Sequence, residues 1–264
     1  MNTGILLSHA RQARRYIIDM VTSARSGHPG GSLSCTDILT WLYDEQIDWD
    51  DPMRDRLVLS KGHAAPALYA QMAVHGQISA DEIHSLRKLG SRLQGHPNMN
   101  DLNDVDMSTG SLGQGLSVAV GMAWGDRYLG NARRTWCICG DGEFEEGQIW
   151  EAVMAAAKYE LNNLTLFLDA NGLQIEGAVS EVGGMKSYAQ ALKSFGWHVL
   201  EIDGHDFEQI AEAAAVAKSR LMPTAILCHT IKGKGISFME NAVQWHGKAP
   251  DQAQALQAYK ELEG

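Results

Sequence analysis

Short apolar segments alternate with helical segments along most of this chain, and this alternation restricts the fold more than any other feature. The strand-like segments span residues 56–60, 135–139, 164–168, 198–202 and 224–228. Helical periodicity or capping patterns predict helices over 5–25, from 34 to about 43, and over 64–75, 113–129, 146–160 and 207–220. Such alternation is typical of a mostly parallel sheet covered by helices on both faces, so we predict a three-layer α/β fold.

Three further local patterns bear on the boundaries of this fold. The sequence Ser79 to Glu82 resembles a capping box and predicts one more helix. The polar tail from Ala249 is expected either to dock on a partner or to fray. With no repeat and no linker evident, we expect residues 1–264 to form a single domain.

Composition excludes several classes of function. Lys and Arg number 22 against 32 Asp and Glu, and the net charge of −10 argues against general binding of nucleic acids or anionic membranes. No apolar stretch is long enough to span a bilayer, and the first residues do not resemble a signal peptide. The 4 cysteines are too few for a disulfide framework, so we expect a cytoplasmic protein.

Glycine-rich or polar residues follow the strands, at the sheet edge where α/β proteins bind ligands. The strongest such signal is Gly140-Asp141-Gly142, with Asn171 beyond the next strand. One right-handed crossover brings Asp141 and Asn171 to the same edge. Together with a backbone carbonyl near Leu173 they form an oxygen-only donor set, which suits Mg²⁺ or Ca²⁺ and leaves positions for phosphate oxygens.

Six motifs occur in the order found in the N-terminal third to half of transketolases, which the chain resembles from about residue 10 to 250. The resemblance implies a thiamine-diphosphate-binding fold and a thiamine diphosphate cofactor with Mg²⁺, for which Ca²⁺ or Mn²⁺ are alternatives. The motifs are Ser26-Gly-His-Pro-Gly30, Leu59-Ser-Lys-Gly-His63, Gly95-His-Pro97, Ser108-Thr-Gly-Ser-Leu-Gly-Gln-Gly115, Gly140-Asp-Gly-Glu-Phe-Glu-Glu-Gly147 and Trp245-His-Gly247.

The resemblance also implies roles for individual residues. It makes Asp141, Asn171 and the Leu173 carbonyl metal ligands, and Glu146 and Glu151 links between paired active sites. The implied catalytic residues are His28, His63, His96 and His246. The implied cofactor-binding residues are His63, Gly110, Ser111, Leu112, Gly140, Asp141, Gly142, Glu143, Asn171 and His246. Histidines suit the proton transfers of ketol transfer because their unperturbed pKa lies near neutrality.

The resemblance covers less than half of a complete transketolase. It implies that a second polypeptide supplies the pyrimidine-binding domain and the activating glutamate, in an α2β2 heterotetramer. We therefore expect a two-subunit transketolase that moves a two-carbon ketol unit from a ketose phosphate to an aldose phosphate, active only with its partner. Trp124, Met122, Trp150 and Met154 are candidates for the interface.

Several alternatives stay open at this stage. The chain is also comparable to the α-type subunit of a 2-oxo acid dehydrogenase or decarboxylase, or to a fragment of a deoxyxylulose-phosphate synthase. A split enzyme for a sugar outside the pentose pathway is another alternative, as is a non-catalytic scaffold. Lys232 and Lys234 suit either a phosphate contact or a solvated loop, whereas Cys137 and Cys139 are expected in the core.

Overall fold

A computed structural model describes residues 1–263 and confirms the predicted parallel α/β architecture. Five parallel strands lie in the order β1-β2-β3-β5-β4. They are β1 (Arg56–Leu59), β2 (Thr135–Gly140), β3 (Leu164–Ala170), β4 (His198–Asp203) and β5 (Thr224–His229). Because all strands run the same way, the loops that follow them meet at one edge of the sheet.

Helices cover both faces of this sheet. The helices are α1 (Thr3–Ala24), α2 (Pro29–Ser34), α3 (Thr36–Trp41), α4 (Ala65–Val74), α5 (Gln114–Tyr128), α6 (Gly147–Lys158), α7 (Val179–Val182), α8 (Tyr188–Ser194), α9 (Phe207–Ser219) and α10 (Gln252–Glu263). One buried cluster joins the sheet to α1, α3, α4, α9 and α10, and a second joins it to α5, α6 and α8. Within residues 1–263, each helix is too short or too polar to cross a lipid bilayer.

Alternate side chains of β2 pack into different clusters. Trp136 and Ile138 pack into the first cluster, whereas Cys137 and Cys139 pack into the second. Successive side chains of a strand point to opposite faces, so an apolar strand in a covered sheet serves both layers. The expectation that the two cysteines are core residues agrees with their complete burial as free thiols.

The structure differs from the sequence expectations in three elements. The helix expected from residue 34 to about 43 is divided into α2, α3 and a π-helical turn over Leu42–Gln46. The capping pattern at Ser79 begins only a 3₁₀ turn over Glu82–Ser85, although its hydroxyl does accept the Glu82 N–H at 3.2 Å. The polar tail does not fray, because α10 packs on α1 through Ala255, Ala258 and Leu262.

Candidate active site

The loops after β2 and β3 are joined at the carboxyl edge of the sheet. Asp141 follows β2, and its carboxylate accepts the Gly142 N–H at 2.9 Å and the Gly172 N–H at 2.6 Å. Asn171 follows β3, and its side-chain oxygen accepts the Leu173 N–H at 3.2 Å. The parallel register that places Gly140 beside Asp169 therefore brings the two predicted donor residues to one place.

The Asp141 carboxylate is poorly neutralised by the chain itself. It is only 4% exposed, and the hydrogen bonds it accepts come from backbone N–H groups. Burial, together with the nearby Asp169 carboxylate, raises the pKa of Asp141 to about 6. A carboxylate, an amide oxygen and the Leu173 carbonyl are hard oxygen donors, so these residues fit a small divalent cation such as Mg²⁺.

A buried ion pair that sequence reasoning missed lies beneath this edge. Lys61, from the Ser-Lys-Gly-His motif after β1, pairs with the fully buried Asp169 and also donates to the Gly31 carbonyl at 2.8 Å. Asp169 accepts three further hydrogen bonds, from the hydroxyls of Ser34 and Thr230 and, at 3.4 Å, from the side-chain amide of Asn171. Burial alone would lower the pKa of Lys61, but the Asp169 carboxylate holds it above its ordinary value. The pair therefore places a charge-compensated lysine beside the pocket. Its sequence signal was a charged residue directly after two of the predicted strands, 56–60 and 164–168.

The sequence left the roles of Lys232 and Lys234 undecided. Of the two, Lys232 lines the pocket. Its ammonium donates to the Leu173 carbonyl at 2.8 Å and lies 3.0 Å from His246 Nδ1. Burial and the positive charge of Lys61 lower the pKa of Lys232 to about 8. Lys234 instead lies outside the pocket, 3.9 Å from the Glu240 carboxylate.

Three of the predicted catalytic histidines form a cluster. The ring centroids of His28, His63 and His246 lie 5.2–5.5 Å from one another. Burial, then Arg87, His96 and Lys232, lowers the pKa of His28 to about 4, while burial and Lys232 lower that of His246 to about 3. Among the described residues, the buried Nδ1 of His28 has no hydrogen-bond partner, which leaves a polar atom for a ligand.

Close backbone contacts place His96 next to this cluster. Gly110 has φ +138°, and a Cβ on it would lie 2.7 Å from His96 Cγ. A Cβ on Gly62 would in turn lie 2.6 Å from the Gly110 backbone nitrogen. Glycine is thus required for the loops after β1 and before α5 to approach this closely.

Glu143, a predicted cofactor contact, lines the pocket and is also hydrogen-bonded within the chain. Its carboxylate accepts the hydroxyl of Ser60 and the N–H groups of Gly113 and Gly140, at 2.9 and 3.1 Å for the latter two. It therefore ties the loops after β1 and β2 to the start of α5. These hydrogen bonds position the loops around the pocket.

These groups surround a pocket of about 330 Å³. The predicted site residues that line it are His63, Leu112, Gly140, Asp141, Gly142, Glu143, Asn171, Leu173 and His246. His28 packs against two of the lining histidines. Gly110 lies against Gly62, the neighbour of His63, and His96 lies against Gly110. Ser111 is exposed and is not among the lining residues. Glu146 lines the pocket, and Glu151 is exposed on α6.

A parallel α/β sheet with oxygen donors, two lysines and histidines at its carboxyl edge has the groups that an anionic ligand needs. Comparison with known proteins gives the family. The family model described as "Transketolase, thiamine diphosphate binding domain" matches residues 7–264. The chain belongs to this family of transferases, as its motifs predict.

The chain matches relatives of about its own length and transketolases that are more than twice as long. It is 38% identical over 268 residues to a protein of Phocaeicola vulgatus named as one subunit of an apulose-4-phosphate transketolase, covering 99% of this chain and 95% of that protein. It is 40% identical over 264 residues to a protein of Clostridium sp. strain MSTE9 named as one subunit of a 6-deoxy-6-sulfo-D-fructose transketolase, covering 98% and 96%. The crystal structure of Campylobacter jejuni transketolase superposes with a TM-score of 0.92 at 33% identity, covering all of this chain but 43% of that one.

Proposed function

We propose that this chain is the diphosphate-binding subunit of a two-subunit transketolase, transferring a two-carbon ketol unit from a ketose phosphate to an aldose phosphate. The observation that carries the proposal is the junction of the Asp141 and Asn171 loops beside Lys232, in a chain that matches separate transketolase subunits over nearly their whole length. In this proposal, residues 1–264 act as a single domain.

The residues at the carboxyl edge have the chemistry to hold both cofactors. Asp141, Asn171 and the Leu173 carbonyl would hold Mg²⁺ once the Lys232 ammonium moves from that carbonyl toward the diphosphate, which the Gly142 backbone would also face. When bound, thiamine diphosphate supplies the electron sink for breaking the carbon–carbon bond of the donor. Lys61 lines the same pocket, but its charge is compensated by the Asp169 carboxylate.

The lowered pKa values keep His28 and His246 neutral at neutral pH and make them weaker bases than an ordinary histidine. Because the pKa values of His28 and His246 lie well below 7, both imidazoles are neutral and can accept or donate a proton. Lys232 donates to His246 Nδ1, so the proton of His246 is on Nε2. His96, at the edge of the cluster, is the candidate for binding a hydroxyl of the donor sugar.

The names of the two separate-subunit relatives favour a second candidate for the substrate. One is named for apulose 4-phosphate and the other for 6-deoxy-6-sulfo-D-fructose. A specialised ketose is therefore the alternative to pentose-pathway sugars. The family match favours either of these over the 2-oxo acid reaction considered from the sequence.

The proposal includes a partner and a location. A pyrimidine-binding subunit would complete the site in an α2β2 heterotetramer, covering apolar side chains on α5 and α6. The four cysteines are all free thiols, which agrees with a reducing compartment such as the cytoplasm.

The test is to purify the chain alone and together with a candidate pyrimidine-binding subunit, both with Mg²⁺ and thiamine diphosphate. Turnover is then measured with a panel of pentose phosphates, sulfosugars and branched ketose phosphates. We expect turnover by the pair and none by the chain alone. Substantial activity of the chain alone would contradict the two-subunit proposal, and turnover of a 2-oxo acid would contradict the reaction.

A further inference from the structure

A second group of metal-ligating side chains lies outside the cofactor pocket. His9 on α1, Asp44 in the π-helical turn and His75 at the end of α4 place one ligand atom each within 4.8 Å of one another. We refer to these three residues as the His9–Asp44–His75 cluster. None of them lines the cofactor pocket. Helix α4, which has 10 residues and is about 15 Å long, separates His75 from His63 in the pocket.

The distances within the cluster match those between neighbouring ligands of one metal ion. Asp44 Oδ1 lies 2.8 Å from His9 Nδ1 and 3.1 Å from His75 Nε2. Zinc bonds of about 2.0–2.2 Å to nitrogen and oxygen at tetrahedral angles place adjacent ligand atoms about 3.3–3.6 Å apart. Because all three atoms lie within 4.8 Å of one another, shifts of roughly 1 Å would let them share an ion.

The hydrogen bond on the far side of His75 sets its tautomer. His75 Nδ1 lies 2.9 Å from the Gln71 carbonyl oxygen, which can only accept, so Nδ1 carries the proton. In the neutral ring, Nε2 then directs a lone pair at the Asp44 carboxylate. This contact is unfavourable unless a cation or a second proton lies between the two atoms. A histidine whose other nitrogen donates to a backbone carbonyl is also the usual arrangement of a metal ligand.

The local backbone and charge agree with a cation at this place. Asp44 lies in a single π-helical turn, a feature often found at functional sites. The same surface depression is lined by the carboxylates of Asp48 and Asp104. The nearest acidic neighbour along the chain, Glu45, is already paired with the N-terminal ammonium of Met1 at 3.6 Å.

We propose that the His9–Asp44–His75 cluster binds a Zn²⁺ ion that links α1, α4 and the π-helical turn. Two imidazoles and one carboxylate suit zinc rather than Mg²⁺, which prefers oxygen ligands. The side chains are partly exposed, at 34%, 12% and 19% for His9, Asp44 and His75, so water can complete the coordination. The ion would be structural, and the proposal is independent of the transketolase reaction.

The test uses the full chain after removal of metals by a chelator. Zn²⁺ is added in the presence of excess Mg²⁺ and thiamine diphosphate, which occupy the cofactor pocket. Bound zinc is counted by mass spectrometry, its affinity is measured by calorimetry, and the thermal midpoint is recorded. We expect one zinc per chain and a higher thermal midpoint, because a ligand that binds only the folded state stabilises it.

Variants distinguish this site from adventitious binding. Asp44→Asn and His75→Gln should each weaken zinc binding roughly tenfold or more. The matched control His229→Gln removes an exposed histidine beside a single glutamate and should leave binding unchanged. If Asp44→Asn fails to fold by circular dichroism, the more exposed His9→Gln serves instead. Failure of the parent to bind zinc, or equal binding by the parent and these variants, would overturn the proposal and leave Asp44 as a hydrogen-bond acceptor only.

Discussion

At the scale of single residues, the charges around the pocket are arranged for a ligand rather than for the stability of the empty chain. Asp141 holds its proton up to about pH 6, well above the ordinary 3.8 of an aspartate. The native state therefore binds this proton more tightly than the unfolded chain does. Its contribution to stability is present below about pH 4 and is lost as the pH rises through about 6.

Asp141→Asn should accordingly stabilise the cofactor-free chain while abolishing Mg²⁺-dependent binding of thiamine diphosphate. At pH 8 the gain in the free energy of unfolding is expected to be on the order of 2 kcal/mol, because the variant removes a buried negative charge. The measurement is urea unfolding with and without Mg²⁺ and cofactor. The exposed Asp81→Asn is the control and should change neither quantity. A variant that bound cofactor as the parent does would contradict the metal assignment.

At the scale of elements, a buried network ties two helices to the loop that carries Lys232. Arg14 on α1 makes two hydrogen bonds to Asp37 on α3, at 3.0 and 2.7 Å, and Nε donates to the Lys234 carbonyl at 3.2 Å. His205, after β4, lies 2.7 Å from the same carboxylate and accepts the Ile231 N–H at 2.9 Å. The network therefore fixes the start of the Lys232 loop relative to α1 and α3.

Arg14→Met should destabilise the chain far more than Arg15→Met. The first variant leaves a buried carboxylate with a single histidine partner, which typically costs about 3–5 kcal/mol. The second removes an exposed pair with Glu263, worth less than about 1 kcal/mol. Urea unfolding of both variants checks the difference. Equal effects would mean that the Arg14–Asp37 pair does not hold these helices together.

The same network makes the stability of the chain depend on pH in the acid range. Burial alone would raise the pKa of Asp37, but Arg14 and His205 hold it below 3.8. Its stabilising contribution is present above about pH 4 and is lost as the pH falls below that value.

Local patterns predicted the long elements and failed at the short ones. The helices α1, α5 and α6 and all five strands lie within a few residues of their predicted bounds, because their apolar periodicity extends over whole elements. The division of α2 from α3 and the docking of α10 depend on tertiary contacts. Tyr259 of α10, for example, donates to Asp19 of α1 at 2.5 Å, a contact that no local pattern encodes.

At the scale of the whole molecule, one surface carries clustered aromatic side chains. Trp124 and Tyr128 of α5 are 48% and 78% exposed, and their rings stack with centroids 5.8 Å apart. Tyr159, after α6, lies 5.9 Å from Trp124. Met154 of α6 is also exposed, so the surface extends over both helices. We propose this surface as the contact for the proposed pyrimidine-binding subunit, because aromatic side chains and Met are enriched at protein interfaces.

Trp124→Glu should weaken association with that subunit without unfolding the chain. A charge in the centre of an apolar interface loses its hydration without gaining a partner. Sedimentation of the mixed subunits measures the association, and circular dichroism checks the fold. Leu256→Glu, at an exposed apolar position of α10, is the matched control and should associate as the parent does. An unchanged sedimentation profile for Trp124→Glu would place the interface elsewhere.

The sequence by itself determined the alternating elements, the carboxyl edge as the place of the site, and the family, because each is written in local patterns or ordered motifs. Only the tertiary structure decided that Lys61 pairs with Asp169 and that Lys232 rather than Lys234 enters the pocket. It also decided that the Glu143 carboxylate accepts the N–H groups of Gly113 and Gly140 and so joins two loops. These outcomes depend on which side chains meet across distant segments, and burial and charge pairing there are properties of the packed molecule.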